Sequence, residues 1–230
     1  MLIDEDGVAM TQRKHPEMSL FEVGILDNHC IVSRNGKKVD WPVEPTSFSR
    51  AIVAKVWEDS VRVLEVSEPI SHWFSEHLGK PCRLVFFPEE NPRPVEKDYW
   101  PNDDHVSLAD AYPLLLIGEE SLADLNSRLA APVGMNRFRP NLVFSGGAPF
   151  AEDTWAEFRI SDNRFKAVKP CARCVLTTVN PETAETGPEP LRTLSRYRRT
   201  DNKVLFGQNI VIIEASEIKT GDRIIVESFR

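Results

Sequence analysis

Apolar residues along the chain fall mostly into short runs of four to seven, β-branched or aromatic, bounded by Gly, Pro, Asn or Asp. This pattern predicts strands at Leu20–Leu26, Cys30–Ser33, Ala51–Trp57, Val61–Val66, Arg83–Phe87 and Pro113–Ile117. Further strands are predicted at Asn141–Ser145, Glu157–Ile160, Phe165–Val168, Cys174–Val179, Asn209–Glu214 and Arg223–Glu227. Asn35-Gly36 is a hairpin signal, because both residues tolerate the positive φ that a two-residue turn demands. Only three stretches carry helical spacing. Ile70, Trp73, Phe74 and Leu78 share a face and Gly79 stops that helix. The second helix runs from Glu120 to Ala130 and the third from Glu189 to Arg198. Their apolar stripes read as core faces. Pro88 to Asp104 reads as a linker, and Asn180 to Pro190, with three prolines, as a long exposed loop.

The 230 residues suffice for one large or two small domains, and the composition is that of an ordinary globular protein. No apolar run is long enough to span a bilayer and the first residues lack a signal-peptide pattern, so a cytoplasmic, non-membrane protein is expected. The net charge of −7 argues against a nucleic-acid binder. Residues 128–203 hold 13 basic and 8 acidic side chains, whereas the rest hold 15 and 27. A positive region in an acidic chain suits a compact anionic ligand, with uneven surface charge as the alternative.

Four cysteines are too few for a disulfide framework. Cys30 and Cys82 sit in apolar contexts and read as buried small hydrophobes. Cys171-Ala172-Arg173-Cys174 matches the weak C-x-x-C pattern. Zinc would need a second ligand pair, and no histidine follows His105. A thioredoxin-like pair would open a helix, whereas Val175-Leu176-Thr177-Thr178-Val179 looks like a strand. Iron–sulfur ligation fails on cysteine count and spacing. Two buried thiols in a β-core remain the reading of this motif taken alone.

Several motifs in order change that picture. They are Asp110-Ala111-Tyr112-Pro113, Ser121 to Asn126, Arg137-Phe138-Arg139-Pro140-Asn141, Ala151-Glu152-Asp153-Thr154-Trp155, Lys169-Pro170-Cys171-Ala172-Arg173-Cys174, Phe206-Gly207-Gln208-Asn209 and Gly221-Asp222-Arg223. Together they resemble the MOSC domain of mitochondrial amidoxime-reducing components and their bacterial relatives. Residues 2–16 resemble the β-rich domain that precedes it. The resemblance implies an α+β, predominantly β fold: a MOSC β-barrel with peripheral helices over 84–230, preceded by a partial N-terminal β-barrel-like domain over 1–83. It also implies a molybdenum cofactor ligated by Cys174. Arg139 and Asn141 would bind the pterin end, Asp110 and Arg173 would contact the cofactor or orient its ligands, and Gln208 would assist. Cys171 reads as a packing neighbour, and an ordinary ion pair is the alternative for Arg139 and Asp110.

The implied activity is reduction of N-hydroxylated substrates such as hydroxylamines, amidoximes and N-hydroxylated bases. Electrons would come from a separate ferredoxin, flavodoxin or cytochrome b5 type carrier. The alternative is a module that carries the molybdenum cofactor or its sulfur, as in the cofactor sulfurases; that link also brings in pyridoxal phosphate. Relatives begin further upstream, with Tyr-Pro-x-Lys-Ser and Asp-Arg-x-Trp segments that contact the cofactor phosphate. Their absence here implies a weaker phosphate site and an exposed sheet edge, which would invite a homodimer.

Overall fold

The computed structural model describes residues 1–89, 91 and 112–230. Among them no helix is long and apolar enough to cross a membrane. The chain forms two compact units, Met1–Arg93 with Val179–Thr186, and Pro94–Thr178 with Gly187–Arg230. The expected linker over 88–104 falls largely outside the described residues.

The first unit contains β1 (Leu2–Ile3), β2 (Glu22–Leu26), β3 (His29–Arg34), β4 (Lys37–Pro42), β5 (Arg50–Val56), β6 (Asp59–Glu65), α1 (Glu68–Leu78) and β7 (Arg83–Phe86). Four strands form a sheet in the order β1-β7-β6-β5, and β2-β3-β4 form a separate meander. The β3–β4 turn is the predicted one: Asn35 and Gly36 have φ of 52° and 76° between paired Arg34 and Lys37. In α1, Phe74 and Leu78 are buried, with Ile70 and Trp73 packed alongside. Gly79 ends the helix at φ 65°. These side chains meet Leu2, Met10, Val32, Val66, Cys82 and Leu84 in one apolar core.

The second unit contains β8 (Leu114–Gly118), α2 (Glu119–Ser127), β9 (Leu142–Phe144), β10 (Trp155–Ile160), β11 (Asn163–Arg173), α3 (Leu191–Leu194), β12 (Arg199–Thr200), β13 (Lys203–Glu214) and β14 (Ile224–Phe229). Its sheet runs β14-β10-β11-β13-β8-β9, with β12 added to β13. Every pair is antiparallel except β8 and β9, which α2 connects. Strand alternation splits β8 between two cores. Leu115 and Ile117 join Leu125, Phe138, Leu194 and Phe206 on one face, and Leu116 joins Phe144, Trp155, Phe158, Phe165 and Ile210 on the other. Burial on both faces explains why β8 reads as a continuous apolar run. The predominantly β, α+β character expected from the sequence holds.

β11 runs on past the predicted Val168 to Arg173, and β13 begins at Lys203 rather than Asn209. Two other elements differ more. Val175–Thr178 is a 3₁₀ turn, where a strand over Cys174–Val179 is predicted. The hydroxyls of Thr177 and Thr178 donate back to Cys174 O (3.1 Å) and Val175 O (2.7 Å), and these local bonds override β-propensity. The third helix is a single turn, Leu191–Leu194, because the residues after it are taken by the sheet. Leu205 N–H donates to Arg198 O at 2.8 Å, and Arg199 pairs with Val204.

Candidate functional site

Lys169 to Arg173 of the cysteine motif form the last part of β11, a strand held between β10 and β13, and Cys174 follows it. Pairing of β11 with β13 breaks three times. The breaks lie between Arg164 and Phe165, between Ala167 and Lys169, and between Pro170 and Ala172, where β13 inserts an extra residue opposite Cys171. Gly207 makes the third break possible. It adopts φ 81°, and a Cβ there would lie 2.7 Å from Ile117 Cγ1 and 2.9 Å from Leu116 O. No other residue fits such a position. Bulges re-aim side chains and often border functional sites. The one here gives a physical reason for the Phe-Gly-Gln-Asn motif.

The chain leaves the sheet at Cys174, whose carbonyl accepts from Thr177 N–H (3.2 Å) and Thr177 Oγ1 (3.1 Å). All four cysteines are free thiols, and Cys171 and Cys174 are both half-buried. The guanidinium of Arg173 forks: Nη1 donates to Cys171 Sγ at 3.1 Å and Nη2 to Phe138 O at 2.7 Å. It also lies 5.6 Å from the centroid of the Phe138 ring. Its Nε is buried with no hydrogen-bond partner in the protein. The 3₁₀ turn after Cys174 packs against the short helical turn Met135–Arg137, so the strand end and the Phe138–Asn141 segment are neighbours.

Arg139 is exposed and sits in the left-handed region at φ 54°. Backbone strain of this kind clusters at ligand-holding sites. Asn141 is tied reciprocally to β8: its N–H donates to Leu115 O, and its Oδ1 accepts from Leu115 N–H, both at 2.9 Å. Its oxygen is committed to the fold, so the amide NH₂ is the group it can offer a ligand.

Four of the six predicted residues thus gather in one neighbourhood: Cys174, Arg173, Arg139 and Asn141. Gln208 does not open onto it. It is fully buried in β13, where Nε2 donates to Asp153 Oδ1 at 2.9 Å and Oε1 has no partner. Asp110 lies outside the described residues. Sequence reasoning missed the residues that brace the site. Asp153 pairs with Arg198 as well as Gln208, and Arg198 stacks 4.2 Å from the Phe150 ring centroid. Glu152 is buried against Gly118 N–H (3.2 Å) and Ser121 Oγ (2.8 Å). Desolvation pushes its pKa up, and the Asp153 charge adds to that rise. The Ala-Glu-Asp-Thr-Trp motif carried the signal, without saying which carboxylate faces inward.

Comparison with known proteins fits this geometry. The MOSC domain profile matches residues 103–225, and that of the MOSC N-terminal beta barrel domain matches residues 1–81. This chain belongs to the MOSC family. The MOSC protein is 36% identical over 234 residues to mitochondrial amidoxime-reducing component 1 of Danio rerio, covering 96% of the chain and 71% of the relative. It is 34% identical over 236 residues to the Homo sapiens protein of the same name, covering 96% and 70%. It is 32% identical over 228 residues to molybdenum cofactor sulfurase of Arabidopsis thaliana, covering 87% of the chain and 27% of that protein. These relatives give the chain a molybdenum-cofactor-related MOSC function.

The residues fit such a group. Among the described residues no cluster of three or more His, Cys, Asp or Glu could hold a metal alone. One half-buried free thiol, the orphaned Arg173 Nε and the donors of Arg139 and Asn141 suit a soft metal and an anionic pterin. Neither this site nor the relatives add support for pyridoxal phosphate.

Proposed function

We propose that this MOSC protein is a molybdenum-cofactor-dependent reductase of N-hydroxylated compounds: hydroxylamines, amidoximes and N-hydroxylated bases. The observation that carries the reading is the half-buried Cys174 thiol at a strand end, directly after Arg173, whose guanidinium donates to the Phe138 carbonyl. Cys174 holds the metal. Arg139 and the Asn141 amide NH₂ bind the pterin, and Arg173 Nε supplies a donor that has no acceptor within the protein. Asp110 is assigned to the same task by resemblance alone. Gln208 acts at a distance by orienting Asp153.

Two-electron removal of the nitrogen-bound oxygen is the chemistry that the bound cofactor supplies. The chain's own part is to hold that group at one orientation and to leave the thiol mouth open to a small substrate. Two electrons and two protons enter per turnover, and the reduced nitrogen compound and water leave. Electrons come from a separate ferredoxin, flavodoxin or cytochrome b5 type carrier. The sulfurase relative favours a second reading, in which the chain carries the cofactor without turnover.

The test uses full-length protein from a host that makes the cofactor. Molybdenum content and reduction of an aromatic amidoxime by reduced viologen are measured for wild type, Cys174→Ser and Cys171→Ser. We expect metal and activity to vanish only in Cys174→Ser. Metal without turnover would favour the carrier, and an empty wild-type protein would sink both readings.

A further inference from the structure

Cys171 has no part in the function above, yet its sulfur is engaged. It accepts one arm of the Arg173 guanidinium, and the other arm takes the Phe138 carbonyl. A guanidinium is a rigid planar fork, so its two ends fix the relative position of whatever they hold. The far end is itself immobile: Phe138 is 1% exposed and packs on Phe206 at 4.4 Å between ring centroids. The near end is placed by the bulge of β13 opposite Cys171. Arg139 follows Phe138 directly and Asn141 comes two residues later, and Cys174 follows Arg173.

We propose that Cys171 is a positioning residue. Acting through Arg173, it holds the Phe138–Asn141 turn in register with the strand end that presents Cys174. The pterin donors and the thiolate then meet the cofactor at one geometry. This rests on Cys174 as the metal ligand. The competing role is packing, since Cys171 also lies at the margin of the core around Leu125 and Phe206.

Two substitutions push these roles in opposite directions. Cys171→Val keeps apolar packing and accepts nothing, whereas Cys171→Ser keeps an acceptor and packs less. Outer partners of metal ligands typically contribute about 10–100-fold in metal affinity. Cys171→Val and Arg173→Lys should therefore each lower cofactor occupancy at limiting cofactor about tenfold or more, with Cys171→Ser close to wild type. The double variant Cys171→Val/Arg173→Lys should be no worse than the worse single, because one link cannot be broken twice. In cofactor-free protein, iodoacetamide modification of Cys174, followed by peptide mass spectrometry, should quicken several-fold in Cys171→Val but not in Cys171→Ser. Impairment of the Ser variant with a native Val variant, multiplying effects in the double, or unchanged Cys174 reactivity in Cys171→Val would each overturn the proposal. A wild-type chain that takes up no molybdenum would instead sink the functional reading, and the alkylation series would still decide the role of Cys171.

Discussion

Single residues set the site's frame, and two of them make sharp predictions. Gly207 combines a left-handed backbone with a tight contact to Ile117 and the Leu116 carbonyl. A methyl group there meets strain of roughly 1–3 kcal/mol from the backbone and a similar overpacking cost of about 1–3 kcal/mol. Gly207→Ala should therefore lower unfolding free energy by roughly 2–6 kcal/mol in urea titration. A loss below about 1 kcal/mol would mean that the bulge relaxes freely. Glu152 titrates with the opposite sense to a typical salt-bridged carboxylate. Burial raises its folded pKa above 4.5, so its contribution is complete below that value and is lost as pH rises through the folded pKa. Relative to Glu152→Gln, wild type should be favoured most in acid and lose ground as pH climbs above about 4.5. Thermal midpoints measured from acid to neutral pH decide it; a constant difference between the two proteins would refute the sign.

Elements were legible where their causes are local. The Asn35-Gly36 turn, the apolar stripe of α1 and its Gly79 stop need only a few neighbouring residues, and all stand where expected. The segment after Cys174 was misread because apolar β-branched residues look like a strand, while the deciding bonds are threonine hydroxyls reaching back to backbone carbonyls. The bulges of β11 and β13 were not legible at all, since they depend on register between strands far apart in sequence. The same threonine capping can be tested. Thr177 is buried, and its hydroxyl and N–H both end on the Cys174 carbonyl. Thr177→Val keeps the shape and removes one of the two bonds. We expect a loss of about 1 kcal/mol in stability together with faster alkylation of Cys174 in cofactor-free protein. A full stability loss without any change in Cys174 reactivity would show that the turn does not control the thiol.

At the scale of the whole molecule, motif order and charge said most about the site. Neither could show that Asn141 spends its oxygen on Leu115 or that Gln208 turns away towards Asp153, because such commitments depend on three-dimensional partners. The charge asymmetry does make a physical prediction. Residues 128–203 carry a surplus of five positive charges, while the remainder carries a surplus of twelve negative ones. That stretch contributes Arg139 and Arg173 to the site. An anionic cofactor approaching an acidic protein is repelled at long range and drawn in only near this basic region. Capture should then depend on how far those fields reach, about 10 Å at 0.1 M salt and about 3 Å at 1 M. If attraction by the basic region dominates, the initial rate of molybdenum uptake by cofactor-free protein falls several-fold between those salts, and Arg139→Gln flattens the dependence. A rate indifferent to salt, or an Arg139→Gln variant as salt-sensitive as wild type, would remove electrostatic capture from the account and leave shape and thiol ligation to do the binding.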